Sequence, residues 1–411
     1  MTIYILYHNT RNNSVPQWNY IPTPDLARSC DDVDDQFDLT LVESMPNTDI
    51  AYAKIEAVPQ GSKWLYAINN LYSNDVYTQN GLDVLDHFCS DERLMSDLLS
   101  GHGRILFDDR REGYLYDNYI GGQISQFFSN RNIPLDKVVF ATGTANAEQI
   151  FNYRNYEIKP FYVRQFELEA SKLCDTVPYQ SNRLPVKRFL CFNRRYAYRL
   201  HRLQFLSLIY QHNLLPLFYY SMLDGVDHVS VVDAAKSLIG NEPQHFKTYE
   251  TMLKLHDKMP MSIDTDDLQT NLATTHYLPT VQDFYNQSAI SVVVETLFYD
   301  SEIFLSEKIW HPIRMSQPFI LVGGAGSLQH LRDLGYKTFD HWWDESYDNI
   351  ADPYDRMMSI VSIIKQISNW SEFQLSLFLI ESAEICKHNF NHLMSAKHRI
   401  SYDSQITQLF L

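Results

Sequence analysis

Between Phe304 and Asp348 the chain reads FLSEKIWHPIRMSQPFILVGGAGSLQHLRDLGYKTFDHWWDESYD. The pattern predicts a helix over 306–315, a buried strand over 318–322, a glycine turn, a helix over 327–334, a strand over 337–339 and an acidic loop. An uninterrupted apolar run that ends in a Gly-rich turn, followed by helical spacing, marks a strand buried on both faces. Such a strand needs parallel neighbours and helices on both sides of its sheet. The segment therefore confines the chain to the α/β class.

The same alternation recurs upstream. Strands are predicted over 3–7, 104–107, 137–141 and 159–162, with helices over 92–99, 121–130 and 145–153 between them. A second series has strands over 188–192, 215–220 and 289–294 and helices over 198–211 and 231–239. A further helix is read near 247–257, and amphipathic helices over 353–367, 373–385 and 387–396 close the chain. Residues 10–85 carry no clear period, and 174–187 (CDTVPYQSNRLPVK) has none and contains two prolines, so the linker is placed there. A length of 411 residues accommodates two domains. The expectation is two Rossmann-like domains, 1–180 and 181–411, facing a central cleft, with ligands at the carboxyl ends of the strands.

Composition narrows the function. A formal net charge of −16 argues against a broad phosphate-binding surface, although a local basic groove remains compatible with it. The five cysteines (Cys30, Cys89, Cys174, Cys191, Cys386) are widely spaced and form no C-x-x-C pair, which argues against a disulfide framework or structural zinc and fits a reducing cytoplasm. The opening MTIYILYHNT reads as a strand and not as a signal peptide, and no apolar run is long enough to span a membrane. There is no G-K-[ST] phosphate loop, no H-E-x-x-H and no G-x-S-x-G. Two D-x-D triplets, Asp32–Asp34 and Asp264–Asp266, follow no clear buried strand and read as solvated loops, so no metal site is expected.

Several polar residues fall where a cleft would use them. Ser306 is a suitable N-cap, and Glu307 in the first helical turn is favoured by the helix dipole. A carboxylate there can accept two ribose hydroxyls, and Lys308 can pair with a phosphate; a capped helix with solvated charges uses the same residues. Pro312 must bend or shorten this helix. The turn Gly323-Gly324-Ala325-Gly326-Ser327 either lets backbone approach a phosphate at a helix N-terminus or is simply a tight β-α connection. Asn193, Arg194, Arg195, Arg199, His201 and Arg202 follow a strand directly and suit a diphosphate, or salt bridges to nearby acids. Glu295 ends a buried strand. In the first half, Asp108, Asp109 and Glu112 follow strand 104–107 and are the candidates for a general base. Thr142–Asn146 is a second β-α turn, and Trp342 and Trp343 are assigned to core packing.

These residues resemble the C-terminal donor-binding region of GT-B glycosyltransferases, in particular fucosyltransferase-like enzymes of phages and bacteria. There a Ser/Thr-Glu-Lys helix, matched by Ser306-Glu307-Lys308, and the following PF-hydrophobic-GxxG turn hold a nucleotide sugar. Val293-Val294-Glu295-Thr296 matches the V-x-E-T that precedes that helix; the arginine cluster resembles an N-R-R…R-x-H-R stretch with longer spacing, and Glu112-Gly113 an E-G loop of the acceptor domain. The resemblance implies transfer of a sugar from a UDP- or GDP-linked donor to an acceptor hydroxyl, inverting and metal-independent, without a further cofactor. The acceptor would be a surface glycan or a hydroxymethylated base in phage DNA. Asn193, Arg194, Arg199, Arg202, Glu295, Ser306, Glu307, Lys308 and Gly324 would form the donor site. A nicotinamide-dependent oxidoreductase is the rival enzyme, weakened by the lack of G-x-G-x-x-G after any strand. A non-catalytic carbohydrate-binding protein on a GT-B scaffold is the third reading.

Overall fold

The computed structural model describes residues 2–7, 45–54, 57–69, 89–110, 113, 115, 118–172, 185–193, 199–222, 246–256, 261, 279–299 and 301–410. The chain forms two compact α/β units: Met1–Glu169 with Ala396–Leu411, and Ala170–Ser395.

The first unit is built on β1 (Thr2–Tyr7), β2 (Asp49–Lys54), β3 (Lys63–Asn69), β4 (Gly103–Asp109), β5 (Val138–Thr142) and β6 (Lys159–Tyr162). Their order is β2-β1-β3-β4-β5-β6 and every pairing is parallel. Side chains alternate across a strand, so each strand feeds two cores. Ile105 and Phe107 of β4 and Val138 and Phe140 of β5 join Trp64 and Tyr66 on one face. That face is covered by α1 (Glu92–Leu99), α2 (Ser125–Ser129) and α3 (Ala147–Arg154) through Leu94, Leu98, Phe128, Ile150 and Phe151. The predicted helix over 121–130 opens earlier, as a π-helical stretch over Asn118–Ile124, before α2. Gly103 has to be glycine: an added Cβ would sit 2.1 Å from the Trp64 ring.

The opposite face presents Ile3, Leu65, Leu106, Val139 and Ala141. It is covered by Phe161, by Leu168 of α4 (Gln165–Lys172) and by the C-terminal segment, through Ala396, Ile400, Tyr402, Ile406, Leu409 and Phe410. Polar contacts fix that return. Asp403 accepts hydrogen bonds from the Asn47 amide (3.1 Å) and the Thr48 hydroxyl (2.6 Å). The buried Glu167 carboxylate pairs with Arg164 on one oxygen and with Arg399 (2.9 Å) on the other.

In the second unit, β7 (Lys187–Asn193), β8 (Phe218–Met222), β9 (Ser288–Val294) and β10 (Phe319–Val322) are all parallel, in the order β10-β9-β7-β8. All seven residues of β9 are buried. The unit's helices are α5 (Leu200–Gln211), α6 (Phe246–His256), α7 (Pro279–Asn286), α8 (Glu307–Arg314), α9 (Ser327–Asp333), α10 (Pro353–Ser368) and α11 (Glu372–Met394). From β7 the chain steps to β8 on one side and later to β9 on the other. The strand order therefore reverses between β7 and β9, and such a switch point opens a crevice at the carboxyl ends.

Other predicted elements differ as well. Residues 337–339 form no strand, because side chains satisfy their backbone: Asn389 accepts from the Lys337 amide and donates to its carbonyl (both 2.8 Å), and Glu345 accepts from Phe339 N (2.9 Å). The helices read over 373–385 and 387–396 are one, α11, opened by a Ser371–Gln374 capping box and buried along Leu375, Phe378, Ser382, Cys386, Asn389 and Leu393. The helix read over 231–239, most of the linker and both D-x-D triplets lie outside the described residues. No described helix is long and apolar enough to cross a membrane.

Candidate functional site

The site is built from the carboxyl end of β9. Glu295, the next residue, is 0% exposed, and its amide donates to Val322 O (2.9 Å), tying β9 to β10. Its Oε2 accepts hydrogen bonds from the amides of Thr296 and Ser306 (3.2 Å each) and from the Ser306 hydroxyl. Oε1 has no partner among the described residues. Burial pushes this carboxyl's pKa up, against the downward pull of the Lys308 charge and the Ser306 hydrogen bonds. The loop that follows is clamped. His201 of α5 makes a 2.9 Å hydrogen bond to Glu295 O, and its ring stacks on Phe298 at 5.5 Å. The Arg356 guanidinium also lies over the Phe298 ring, at 4.5 Å. Arg356 donates to the carbonyls of Phe298, Gly323 (3.2 Å) and Ala351 (3.1 Å), binding the loops after β9 and β10 to α10.

Ser306 caps α8, accepting from Lys308 N at 3.4 Å. Pro312 lies inside α8, and the helix ends two residues later at Arg314, so the proline shortens it. The Lys308 ammonium donates to Glu307 Oε1 (2.6 Å), Ser306 Oγ (3.1 Å) and Thr296 Oγ1 (3.3 Å). Burial pushes the Glu307 carboxyl up, but the Lys308 charge and hydrogen bond, with His311, outweigh it and hold the group well below the usual range. Burial lowers the Lys308 ammonium, Glu307 and Glu295 raise it, and Arg202 lowers it further. Glu307 retains 35% side-chain exposure and Lys308 17%, so this pair is the part of the cluster a ligand can reach. Beside it a pocket of about 30 Å³ runs between Phe192, Val293, Lys308, His311 and Pro312, too small for a nucleobase as it stands.

The glycine turn after β10 is already occupied by the protein's own anion. Asp348 accepts from the amides of Leu328 and Gln329 (2.9 Å each), capping α9, and its carbonyl accepts from Gly326 N at 2.8 Å. Gly326 sits at φ +83°, where only glycine is unstrained. Gly324 lies buried in this turn, and the dipole-facing position is filled by a carboxylate from twenty residues downstream.

The remaining candidates divide by location. Asn193 closes β7 and is buried; its amide nitrogen lies 3.2 Å from Cys191 Sγ and 3.4 Å from the Tyr220 hydroxyl, and its oxygen has no partner among the described residues. Arg199 caps α5 half-buried and Arg202 is 1% exposed on its first turn. Both arginines act electrostatically on His201, and Arg202 acts on Lys308 as well, so these cations converge on one place. His201, counted in the sequence among the cationic side chains, is uncharged: burial and Arg202 lower its pKa to about 3. Arg194 and Arg195 lie outside the described residues. In the first unit, Asp108 and Asp109 end β4; Asp109 is buried, and Glu112 lies outside the described residues. Thr144 donates to Gly113 O (2.8 Å), joining the Thr142–Asn146 turn to the stretch after β4. Trp342 and Trp343 pack on Phe378 at 5.3 and 5.5 Å; Trp343 is buried core, whereas Trp342 is partly exposed and donates to Glu381 (3.3 Å). Among the described residues no group of three or more His, Cys, Asp or Glu side chains is arranged to hold a metal ion. Arg356 and Asp348, which organise the loops around the site, were not singled out by the sequence, because their partners are distant backbone groups.

No protein family's sequence profile matches the chain, and no characterised protein sequence does either. Solved structures give a weak likeness over long stretches. T4 phage β-glucosyltransferase in complex with UDP and Mn²⁺ aligns over 100% of this chain and 99% of its own, at 8% identity and a TM-score of 0.45. A UDP-forming α,α-trehalose-phosphate synthase from Burkholderia vietnamiensis aligns over 86% of this chain and 74% of its own, at 10% identity and a TM-score of 0.43. The GtfA/B complex aligns over 78% and 55%, at 11% identity and a TM-score of 0.38. At these scores and identities no activity and no residue role passes from those proteins to this one.

Proposed function

We propose that the chain is a GT-B-type glycosyltransferase that moves a sugar from a UDP- or GDP-linked donor to an acceptor hydroxyl. The observation that carries this reading is the Glu307–Lys308 pair: a carboxylate and an ammonium, partly exposed, at the N-terminus of the helix that follows β9, with Arg202 acting on the ammonium.

Glu307 accepts the two ribose hydroxyls of the donor. Lys308, with Arg199, Arg202 and Arg194, neutralises the diphosphate as the bond from the anomeric carbon to the phosphate oxygen breaks. Asn193 lies at the same crevice with Glu295 and Ser306 behind it, whereas Gly324, in the turn that Asp348 fills, takes no part. The acceptor oxygen attacks the anomeric carbon from the opposite face and gives its proton to Asp108, Asp109 or Glu112. The sugar is thereby inverted, and cationic side chains serve where other transferases use a metal. The net charge of −16 favours a glycan acceptor over a hydroxymethylated DNA base.

A thermal-shift panel of UDP, GDP, CMP, their sugar conjugates, NAD and NADP, with and without EDTA, tests this reading. A ligand at a hundred times its Kd stabilises by about 2.7 kcal/mol. The expected result is a rise with one nucleoside diphosphate, unchanged by EDTA and absent in Lys308→Ala. A rise with NAD or NADP alone would overturn the proposal.

A further inference from the structure

Ser306 stands at a junction in which every valence of its hydroxyl is used. A hydroxyl has one proton to donate and two lone pairs to accept with. Here the proton goes to Glu295 Oε2, and the lone pairs accept from Lys308 N (3.4 Å) and Lys308 Nζ (3.1 Å). The direction of the first bond fixes the others: while Glu295 takes the proton, the acceptor side of Ser306 must face Lys308. Glu295 also holds the Ser306 amide (3.2 Å), so both the backbone and the side chain of the cap are anchored to one carboxylate. That carboxylate is 0% exposed, behind the partly exposed Glu307–Lys308 pair.

We infer that Glu295 and Ser306 are positioning residues: Glu295, through the Ser306 hydroxyl, aims the Lys308 ammonium and serves as its buried counter-charge. The value of that arrangement for transfer rests on the reading above, in which Lys308 meets the donor diphosphate. The arrangement leaves Lys308 a partner when Glu307 turns to a ribose, since the 2.6 Å Glu307–Lys308 contact must then loosen. Without a second carboxylate the ammonium would be left half-buried among cations. Its charged and titratable surroundings are Glu307 on its own helix, Glu295 at the end of β9, Arg202 and the neutral His201 on α5, and His311 one turn on. Burial and Arg202 work against the ammonium, and the two glutamates work for it.

The test is the titration of Lys308 in the full-length chain, read by NMR with ¹³Cε-labelled lysine and assigned with Lys308→Arg. In Glu295→Gln, which keeps size and removes charge, Lys308 is expected to deprotonate at lower pH than in the wild type. The alkaline limit of UDP or GDP binding is expected to move with it. Ser306→Ala is expected to bind the nucleotide about tenfold more weakly, the loss of one hydrogen bond to a charged group, and Ser306→Thr to restore it. A merely structural role would lower the melting temperature and leave the Lys308 titration in place; an unmoved titration in Glu295→Gln overturns the inference. Normal nucleotide binding by Lys308→Ala would instead sink the donor reading while leaving the positioning result intact.

Discussion

His201 remains neutral across the physiological range because burial and the adjacent Arg202 and Arg199 hold its pKa near 3. Its neutral ring can then stack on Phe298 and bond the Glu295 carbonyl without adding another cation to the cluster. Below about pH 6.5 the unfolded chain takes up a proton at this histidine and the folded chain does not, so stability falls as pH drops toward 3, by about 1.4 kcal/mol per pH unit. Glu295 works in the opposite sense: its raised pKa contributes stability below the unfolded carboxyl value and loses it as pH rises through the folded one. Denaturant melts between pH 4 and 6 should show a shallower pH slope in His201→Asn than in the wild type. An identical slope in the two proteins would mean that His201 is protonated in the folded state.

Helix ends decide where an anion can bind, and here the two candidate N-termini differ. The N-terminus of α9 is satisfied internally by Asp348, whereas α8 presents Glu307 and Lys308 at its mouth. Asp348→Ala is expected to destabilise the protein by roughly 1–2 kcal/mol, the loss of an N-cap, as measured by urea denaturation. The motifs at Glu295 and at Ser306–Lys308 were legible in the sequence, because a capped helix and a strand-terminal carboxylate are local patterns. Asp348 as a cap, Arg356 as a clamp and the side-chain satisfaction of residues 337–339 were not, because each depends on a partner far along the chain. Likewise β2 and β3 were hidden, because both lie within residues 10–85, where polar and apolar residues follow no clear period.

The order of alternating strands and helices indicated a wholly parallel α/β architecture, which both units have. It did not announce that the last residues return to the first unit. That return follows from the period-two strands of the first unit, which leave Ile3, Leu65, Leu106, Val139 and Ala141 to be covered on a second face. Deleting residues 396–411 should therefore expose an apolar face and give a protein that aggregates or melts in its first unit, as followed by light scattering. Glu167→Ala should destabilise the fold by about 1.5–3 kcal/mol, because Arg164 and Arg399, both partly exposed, lose the carboxylate they share.

On the proposed function, a nucleoside diphosphate binds at the carboxyl ends of β7 and β9 through Lys308. Isothermal titration of UDP and of GDP into the wild type and into Lys308→Ala measures this most directly. One of the two nucleotides should bind the wild type with one site per chain. Lys308→Ala should lose at least about tenfold in affinity, or 1.4 kcal/mol, when measured at a temperature where the variant is folded. Equal affinity in the two proteins, or no heat from either nucleotide in the wild type, would rule out a donor diphosphate held by Lys308.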